Sequence, residues 1–387
     1  MASQPSHLHF ILLPFLAQGH MIPMVGIAKL LAREGAIVTI VTTPNNAARF
    51  QTFLARAIQS GLQIHLIELP FPCQEVGLPE DCESFELVPS IDLAVNFFNA
   101  IAMLEFPFEN LFKELKPRPS CIISDFCFPW TASTASKFNI PRITFHGFSC
   151  CSLLCLYNLR ISKIDENISS DSEYFVVPGL PDRIEITKAQ LPQSVHGKDF
   201  RDKLFAAEMA SYGVVINTFE ELEPAYVKEY KKAKNGKVWC IGPVVVCNKD
   251  NIDKVERGKK ASVDESECLK WLDCRQPSSV VYICLGSICN LTTSQLIELG
   301  LGLEVSKKPF IWIIRGVIKS RGLKKWLLEE KFEERIKGRG LLIRGWAPQI
   351  LILSHPEIGG FLTHCGWNSL TEGLSAGVPM LTWPIFA

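Results

Sequence analysis

Short apolar runs alternate with amphipathic stretches along most of this chain. The runs at 8–13, 36–42, 63–69, 121–125, 142–146, 213–217 and 238–241 are rich in Ile, Val and Leu. They predict strands buried on both faces, the condition of a parallel sheet covered by helices. Between them, apolar positions at helical spacing predict helices at 22–33, 46–59, 91–114, 130–137 and 222–234. Strand–helix alternation implies right-handed crossovers and a doubly wound α/β fold. The pattern then restarts, with strands expected at 280–285, 310–314, 341–344, 360–362 and 379–383. A polar stretch rich in Lys, Asp and Glu, 247–266, separates the two series and reads as a surface linker. Placing the boundary after Gly242-Pro243 gives an N-terminal domain, 1–242, and a C-terminal domain, 243–387. Residues 162–200 read as irregular surface structure with short helices.

Two doubly wound domains facing a cleft would bind ligands outside the carboxyl ends of their strands. That rule selects 14–20, 125–130, 286–287 and 363–369. A length of 387 residues agrees with two domains. Forty acidic and forty basic residues cancel, so no basic face points to nucleic acid. Fourteen cysteines raise the question of disulfides, but no two are spaced C-x-x-C. Residues 7–13 lack the basic flank and cleavage site of a signal peptide, and Pro14, Gln18, Gly19 and His20 break the apolar run. No run approaches the roughly eighteen apolar residues of a membrane span. The expected state is a cytoplasmic monomer with reduced, buried thiols. On that reading the sequons at Asn167 and Asn290 are chance matches.

His20 follows Gly19 after the first strand, and Asp125 ends the fourth. One reading makes His20 a loop histidine near a helix start and gives Asp125 a backbone amide. The other makes His20 a general base whose tautomer Asp125 fixes. Trp346, in the turn Gly345-Trp346-Ala347-Pro348-Gln349, offers a face for a base, and Gln349 a hydrogen bond to the nucleoside. His364-Cys365-Gly366-Trp367-Asn368-Ser369 joins a strand end to a helix start. It suits phosphates through oriented N–H groups, with Glu372 placed for ribose hydroxyls. Ser287 after Gly286 is a second phosphate candidate. There is no D-x-D pair for a metal-bound diphosphate, no Walker loop and no zincin helix. Gly300-Leu301-Gly302 lacks the third glycine of a dinucleotide fingerprint.

The segment from Trp346 to Ala387 resembles the signature box of plant secondary-product UDP-glycosyltransferases. It carries Trp346-Ala347-Pro348-Gln349, His355, Gly359-Gly360-Phe361, Thr363 through Ser369, Glu372-Gly373, Gly377-Val378-Pro379 and Trp383-Pro384. The loop 14–24, Ser124-Asp125 and Leu285-Gly286-Ser287 are similar to that family too. The resemblance implies a GT-B fold and inverting, metal-independent transfer of a hexose, glucose first, from a UDP-sugar. The acceptor would be a hydroxyl of a small apolar plant metabolite, such as a flavonoid, triterpenoid or steroid.

In that picture His20 is the base and Asp125 orients it. Trp346 stacks uracil, Ala347 offers backbone contacts, and Gln349 and Glu372 hold the nucleoside. Ser287, His364, Asn368 and Ser369 take the phosphates beside Gly366, and Trp367 lies near the sugar. The acceptor would lie near Phe15, Phe97, Phe126, Phe128, Trp130 and Phe145. No cofactor or metal is implied. The family pattern runs on past Ala387 with an acidic residue and then Gln or His, so the second domain is expected to be incomplete. The alternative is a truncated, non-catalytic small-molecule-binding relative. A nicotinamide oxidoreductase fits the fold class but lacks the fingerprint.

Overall fold

The first apolar run forms β1 (His9–Leu13), and its neighbours explain why it is apolar throughout. The computed structural model describes residues 8–191, 197–247, 265–286, 291–314 and 321–385. In it β1 pairs in parallel with β2 (Ile37–Thr42) on one side and β4 (Cys121–Asp125) on the other. Successive side chains of a strand point to opposite faces. Leu12 therefore enters one core with Val38, Ile40, Ile123 and Phe145, while Ile11 and Leu13 enter another with Val41 and Ile122. Helices Gln18–Arg33 and Gln51–Gln59 close the first core with Met21, Met24, Phe53 and Leu54. Helices Ala94–Met103 and Glu105–Glu114 close the second with Phe97, Ile101, Phe108 and Phe112. Each such burial is worth roughly 1.5–3 kcal/mol, so both faces reward apolar residues at every strand position.

With β3 (Ile64–Glu68), β5 (Arg142–His146), β8 (Gly213–Ile216) and β9 (Val238–Cys240), the first sheet runs β3-β2-β1-β4-β5-β8-β9. Every pairing in it is parallel. The second sheet contains β10 (Val280–Cys284), β11 (Phe310–Ile314), β12 (Gly340–Arg344), β13 (Ile358–Thr363) and β14 (Met380–Thr382). Its order is β12-β11-β10-β13-β14, again parallel. The chain divides into two compact units, Met1–Cys247 and Asn248–Phe386. The boundary thus falls five residues beyond the expected one. Val244 and Cys247 are buried against helix Gln18–Arg33, with Val244 under Gly26, which ties 243–247 to the first unit. Most of the expected linker lies outside the described residues.

Several elements differ from expectation for identifiable reasons. The helix expected from 22 begins at Gln18, where the N–H groups of His20 and Met21 both reach the carbonyl of Ala17. Pro23 favours a reading that puts it in the first turn, but it lies inside the helix. The stretch 46–59 forms two helices, Pro44–Ala48 and Gln51–Gln59. Residues 162–200 include a small antiparallel hairpin, β6 (Tyr174–Val176) with β7 (Glu185–Thr187). Among the described residues one helical stretch, Ile91–Glu114, is long and apolar enough to cross a membrane, contrary to the reading of the sequence. It is a core element, since Phe97, Ala100, Ile101, Leu104, Phe108 and Phe112 are all buried in the first unit.

The pairing of β10 with β13 shifts register between Val280 and Val281, which face Ile358 and Gly360. Gly359 is the extra residue of this bulge, and a Cβ there would lie 1.9 Å from the carbonyl oxygen of Ser278. Backbone cannot yield as a side chain can. Gly359→Ala should therefore cost about 1–3 kcal/mol by overpacking. Urea unfolding checks this, and an unchanged midpoint would mean that the bulge relaxes freely.

Candidate active site

Strand order reverses between β1 and β4: the helix that follows β1 packs in the first core, and the segment that follows β4 packs in the second. A crevice opens at such a reversal. His20 comes from the first turn of the helix after β1, and Asp125 from the last position of β4. The two lie 105 residues apart in sequence, yet His20 Nδ1 sits 2.7 Å from Asp125 Oδ2. The other oxygen, Oδ1, accepts from the backbone N–H of Cys127. The carboxylate is fully buried, whereas the imidazole keeps 19 % of its side-chain surface exposed. A buried carboxylate needs such partners. Burial alone would push the imidazole below its ordinary 6.5, but the charge and hydrogen bond of Asp125, with help from Glu86, outweigh it and raise the pKa. His20 Nε2 makes no hydrogen bond among the described residues.

Aromatic rings enclose His20 on three sides. Phe15 approaches edge-on at 5.2 Å between centroids, Phe126 is tilted at 6.2 Å and Phe148 is edge-on at 6.0 Å. Of the six rings expected to meet an acceptor, five lie in the core. Phe97, Phe128 and Phe145 are completely covered, and Phe15 and Trp130 nearly so. Trp130 spends its indole N–H on the carbonyl of Ile101. Only Phe126 is half-buried. Sequence reasoning misses Phe148, which is 36 % exposed and next to His20. It also misses half-buried Phe98, which stacks on Phe15. The only sequence signal for Phe148 is its place two residues beyond β5.

In the second unit the reversal falls between β10 and β13. Gly286, at φ +80°, follows β10, and His364 follows β13. The His364 ring is gripped between two glycines, since a Cβ on Gly286 would lie 2.4 Å from it and one on Gly366 2.3 Å. Gly366 also caps helix Trp367–Ser375, which opens with no side-chain cap. Its first intrahelical bond runs from the N–H of Leu370 to the carbonyl of Gly366, so the N–H groups of 367–369 precede the ladder. Gln349 Nε2 donates to Ser369 Oγ at 3.1 Å and to Glu372 Oε2 at 2.8 Å, while Tyr282 donates to Gln349 Oε1. Three predicted residues are thereby joined, and Tyr282, inside β10, gives no sequence signal. Trp346 is half-buried in the turn after β12, beside buried Ala347. Trp367 and Asn368 begin the helix, half-buried. Ser287 lies outside the described residues. Among the described residues no group of three or more His, Cys, Asp or Glu side chains is arranged to hold a metal ion.

Two parallel Rossmann-like sheets are the architecture of the GT-B fold, which the chain shares with solved plant glycosyltransferases. Residues 6–246 match the family model "Glycosyltransferase, N-terminal domain", and residues 231–387 match "UDP-glucoronosyl and UDP-glucosyl transferase". The chain is 58 % identical to UDP-glycosyltransferase 73C3 of Arabidopsis thaliana, over all of this chain and 80 % of that protein. The crystal structure of Glycyrrhiza uralensis UGT73P12 with glycyrrhetinic acid 3-O-monoglucuronide matches with a TM-score of 0.88 and 35 % identity. That match covers 98 % of this chain and 77 % of the other. Arabidopsis thaliana UGT89C1 with UDP-L-rhamnose matches with a TM-score of 0.75 and 31 % identity, over 98 % of this chain and 80 % of that one. The chain belongs to the plant UDP-glycosyltransferase family.

The two glycines around His364 make a direct prediction. Gly286→Ala combines a left-handed backbone with a clash, and should cost about 1–3 kcal/mol in stability while displacing the ring. Gly302→Ala, in the exposed face of a helix with nothing near its Cβ, should instead stabilise by roughly 0.5–1 kcal/mol. Urea midpoints of the two variants should move in opposite directions; a common direction would contradict the packing described.

Proposed function

We propose that this chain moves glucose from UDP-glucose to a hydroxyl of a flat, apolar plant metabolite, with inversion at the sugar carbon. The observation that carries this reading is the buried Asp125 carboxylate on one nitrogen of a partly exposed His20. Nδ1 is committed to Asp125, which leaves Nε2 to take the acceptor's proton as its oxygen attacks. Asp125 then stabilises the imidazolium without itself taking the proton. The acceptor's body would lie against half-buried Phe126 and exposed Phe148, the rings beside the base. Triterpenoid and flavonoid scaffolds suit such rings. The triterpenoid glycoside bound to the Glycyrrhiza relative supports the first class.

The second unit would hold the donor. Trp346 presents its indole to uracil, and Gln349 and Glu372, already paired with each other, would hold the nucleoside. His364, Asn368, Ser369 and the opening of helix Trp367–Ser375 receive the diphosphate, with Ser287 in the same role and Trp367 near the sugar. Negative charge grows on the leaving diphosphate, so oriented N–H groups stabilise the transition state more than the ground state. A cytoplasmic setting goes with this reading, and there thiols stay reduced.

Three outcomes test this function. His20→Ala should lower glucosylation of quercetin by roughly 10²–10⁴-fold and leave UDP affinity unchanged; rates within threefold of the parent would refute the assignment. The base works unprotonated, so kcat/KM should rise with pH through a value above 6.5, because His20 is raised from there. Asp125→Asn removes the charge and leaves the burial, so this limb should move to lower pH as the plateau falls. A limb that stays in place would assign it to another group. Trp346→Ala should weaken UDP by about 1–3 kcal/mol in calorimetry, and an unchanged affinity would place that indole outside the nucleotide site.

A further inference from the structure

Asp125 and His146 end neighbouring strands, β4 and β5, and each belongs to an imidazole–carboxylate pair. In the second pair the imidazole is the buried member. His146 Nε2 lies 2.6 Å from Glu208 Oε2, and the imidazole is only 4 % exposed. Glu208 stands on helix Gly197–Met209, and its other oxygen receives Lys234 Nζ at 2.5 Å and the hydroxyl of Tyr230 at 3.1 Å. Burial alone would raise the Glu208 carboxyl, but His146 and Lys234, by charge and hydrogen bond, hold it well below the usual range. The carboxylate is thus charged and anchored from a helix and the residue that follows it. His146 Nδ1 is buried and makes no hydrogen bond among the described residues, so the bond to Glu208, with the packing around the ring, sets its orientation. That ring is stacked on Phe126 at 5.1 Å and 26°. Phe126 in turn faces both His20 and Phe148.

We propose that His146 and Glu208 are positioning residues that hold Phe126 as the acceptor-facing wall beside His20, and so set acceptor affinity without touching the donor. A network of this kind costs desolvation and is weak evidence for stability, but it specifies one arrangement. Fixing a flat ring from behind matters most for a flat acceptor, because a ring free to tilt pays its ordering cost when the ligand binds. This inference rests on the reading of His20 as the acceptor-side base.

The test is a double-mutant cycle in the full chain, read by calorimetry with quercetin and, separately, with UDP. His146→Leu should raise the quercetin Kd about fivefold or more and leave the UDP Kd within twofold. In a Phe126→Leu background the same substitution should change the quercetin Kd less than twofold, since contacting residues couple. In turnover, acceptor KM should rise in parallel while kcat stays within threefold. If His146→Leu does not fold, His146→Phe, which keeps the buried ring and drops only the bond to Glu208, is read by the same criteria. A quercetin Kd within twofold of the parent, or an equal change in both backgrounds, would overturn the proposal. His20→Ala serves as the separate control: transfer that persists there defeats the reading of the base, whatever the cycle shows.

Discussion

The reversal of strand order between β1 and β4 is the constraint from which the first unit's chemistry arises. The helix after β1 packs Met21 and Met24 into one core, whereas the segment after β4 packs Phe128 and Trp130 into the other. A helix start and a strand end meet at the reversal, and the backbone fixes both. Asp125 is held by its strand on one side and by the N–H of Cys127 on the other, which leaves one oxygen to be satisfied. The residue in reach is His20. The hydrogen bond between them is therefore a solution to a burial problem, and an imidazole with Nδ1 committed and its ring partly exposed is the consequence. The second unit repeats the geometry between β10 and β13, where the gap is filled by His364 between two glycines.

Two imidazole–carboxylate pairs of nearly equal length, 2.7 Å and 2.6 Å, stand at the ends of β4 and β5. Length does not separate them; exposure does. In the first the carboxylate is sealed and the imidazole reaches the surface, so a proton can arrive at the free nitrogen. In the second the imidazole is sealed and its carboxylate carries two further donors. One arrangement suits proton transfer, the other suits holding a ring still. Phe126 packs against both imidazoles and so joins the two pairs.

Much of this is legible in the sequence, and the failures share a cause. Strands buried on both faces announce themselves as Ile, Val and Leu runs, so the series from β1 to β5 and from β10 to β12 can be read directly. His20 and Asp125 are legible because topology puts strand ends at the crevice. What the sequence hides is the face to which a loop side chain turns. Phe126, Phe128 and Trp130 occupy one short turn, which sends Phe128 and Trp130 inward and leaves Phe126 half-buried. Tyr282 sits in an apolar strand and shows nothing of the hydroxyl that meets Gln349. Helix Cys150–Ser162 gives no clear signal, since its composition is apolar with little amphipathic contrast. The early start of helix Gln18–Arg33 is masked by Pro23.

The two units also differ in how densely they display their chemistry, and the fold explains the contrast. In the second unit the ends of β12 and β13 are less than twenty residues apart in sequence, with one short helix, Gln349–Leu353, between them. Trp346, Gln349, His364, Ser369 and Glu372 are thus compressed into one readable segment. In the first unit the partners at the reversal come from strands separated by two complete strand–helix units. His20 and Asp125 are 105 residues apart, and His146 and Glu208 are 62 apart. A local motif search therefore sees the cluster in the second unit and little of the pairs in the first, although the same topological rule builds both. The first unit's pairs become visible only when strand order is known, because only then do two isolated polar residues become neighbours with a reason to be there.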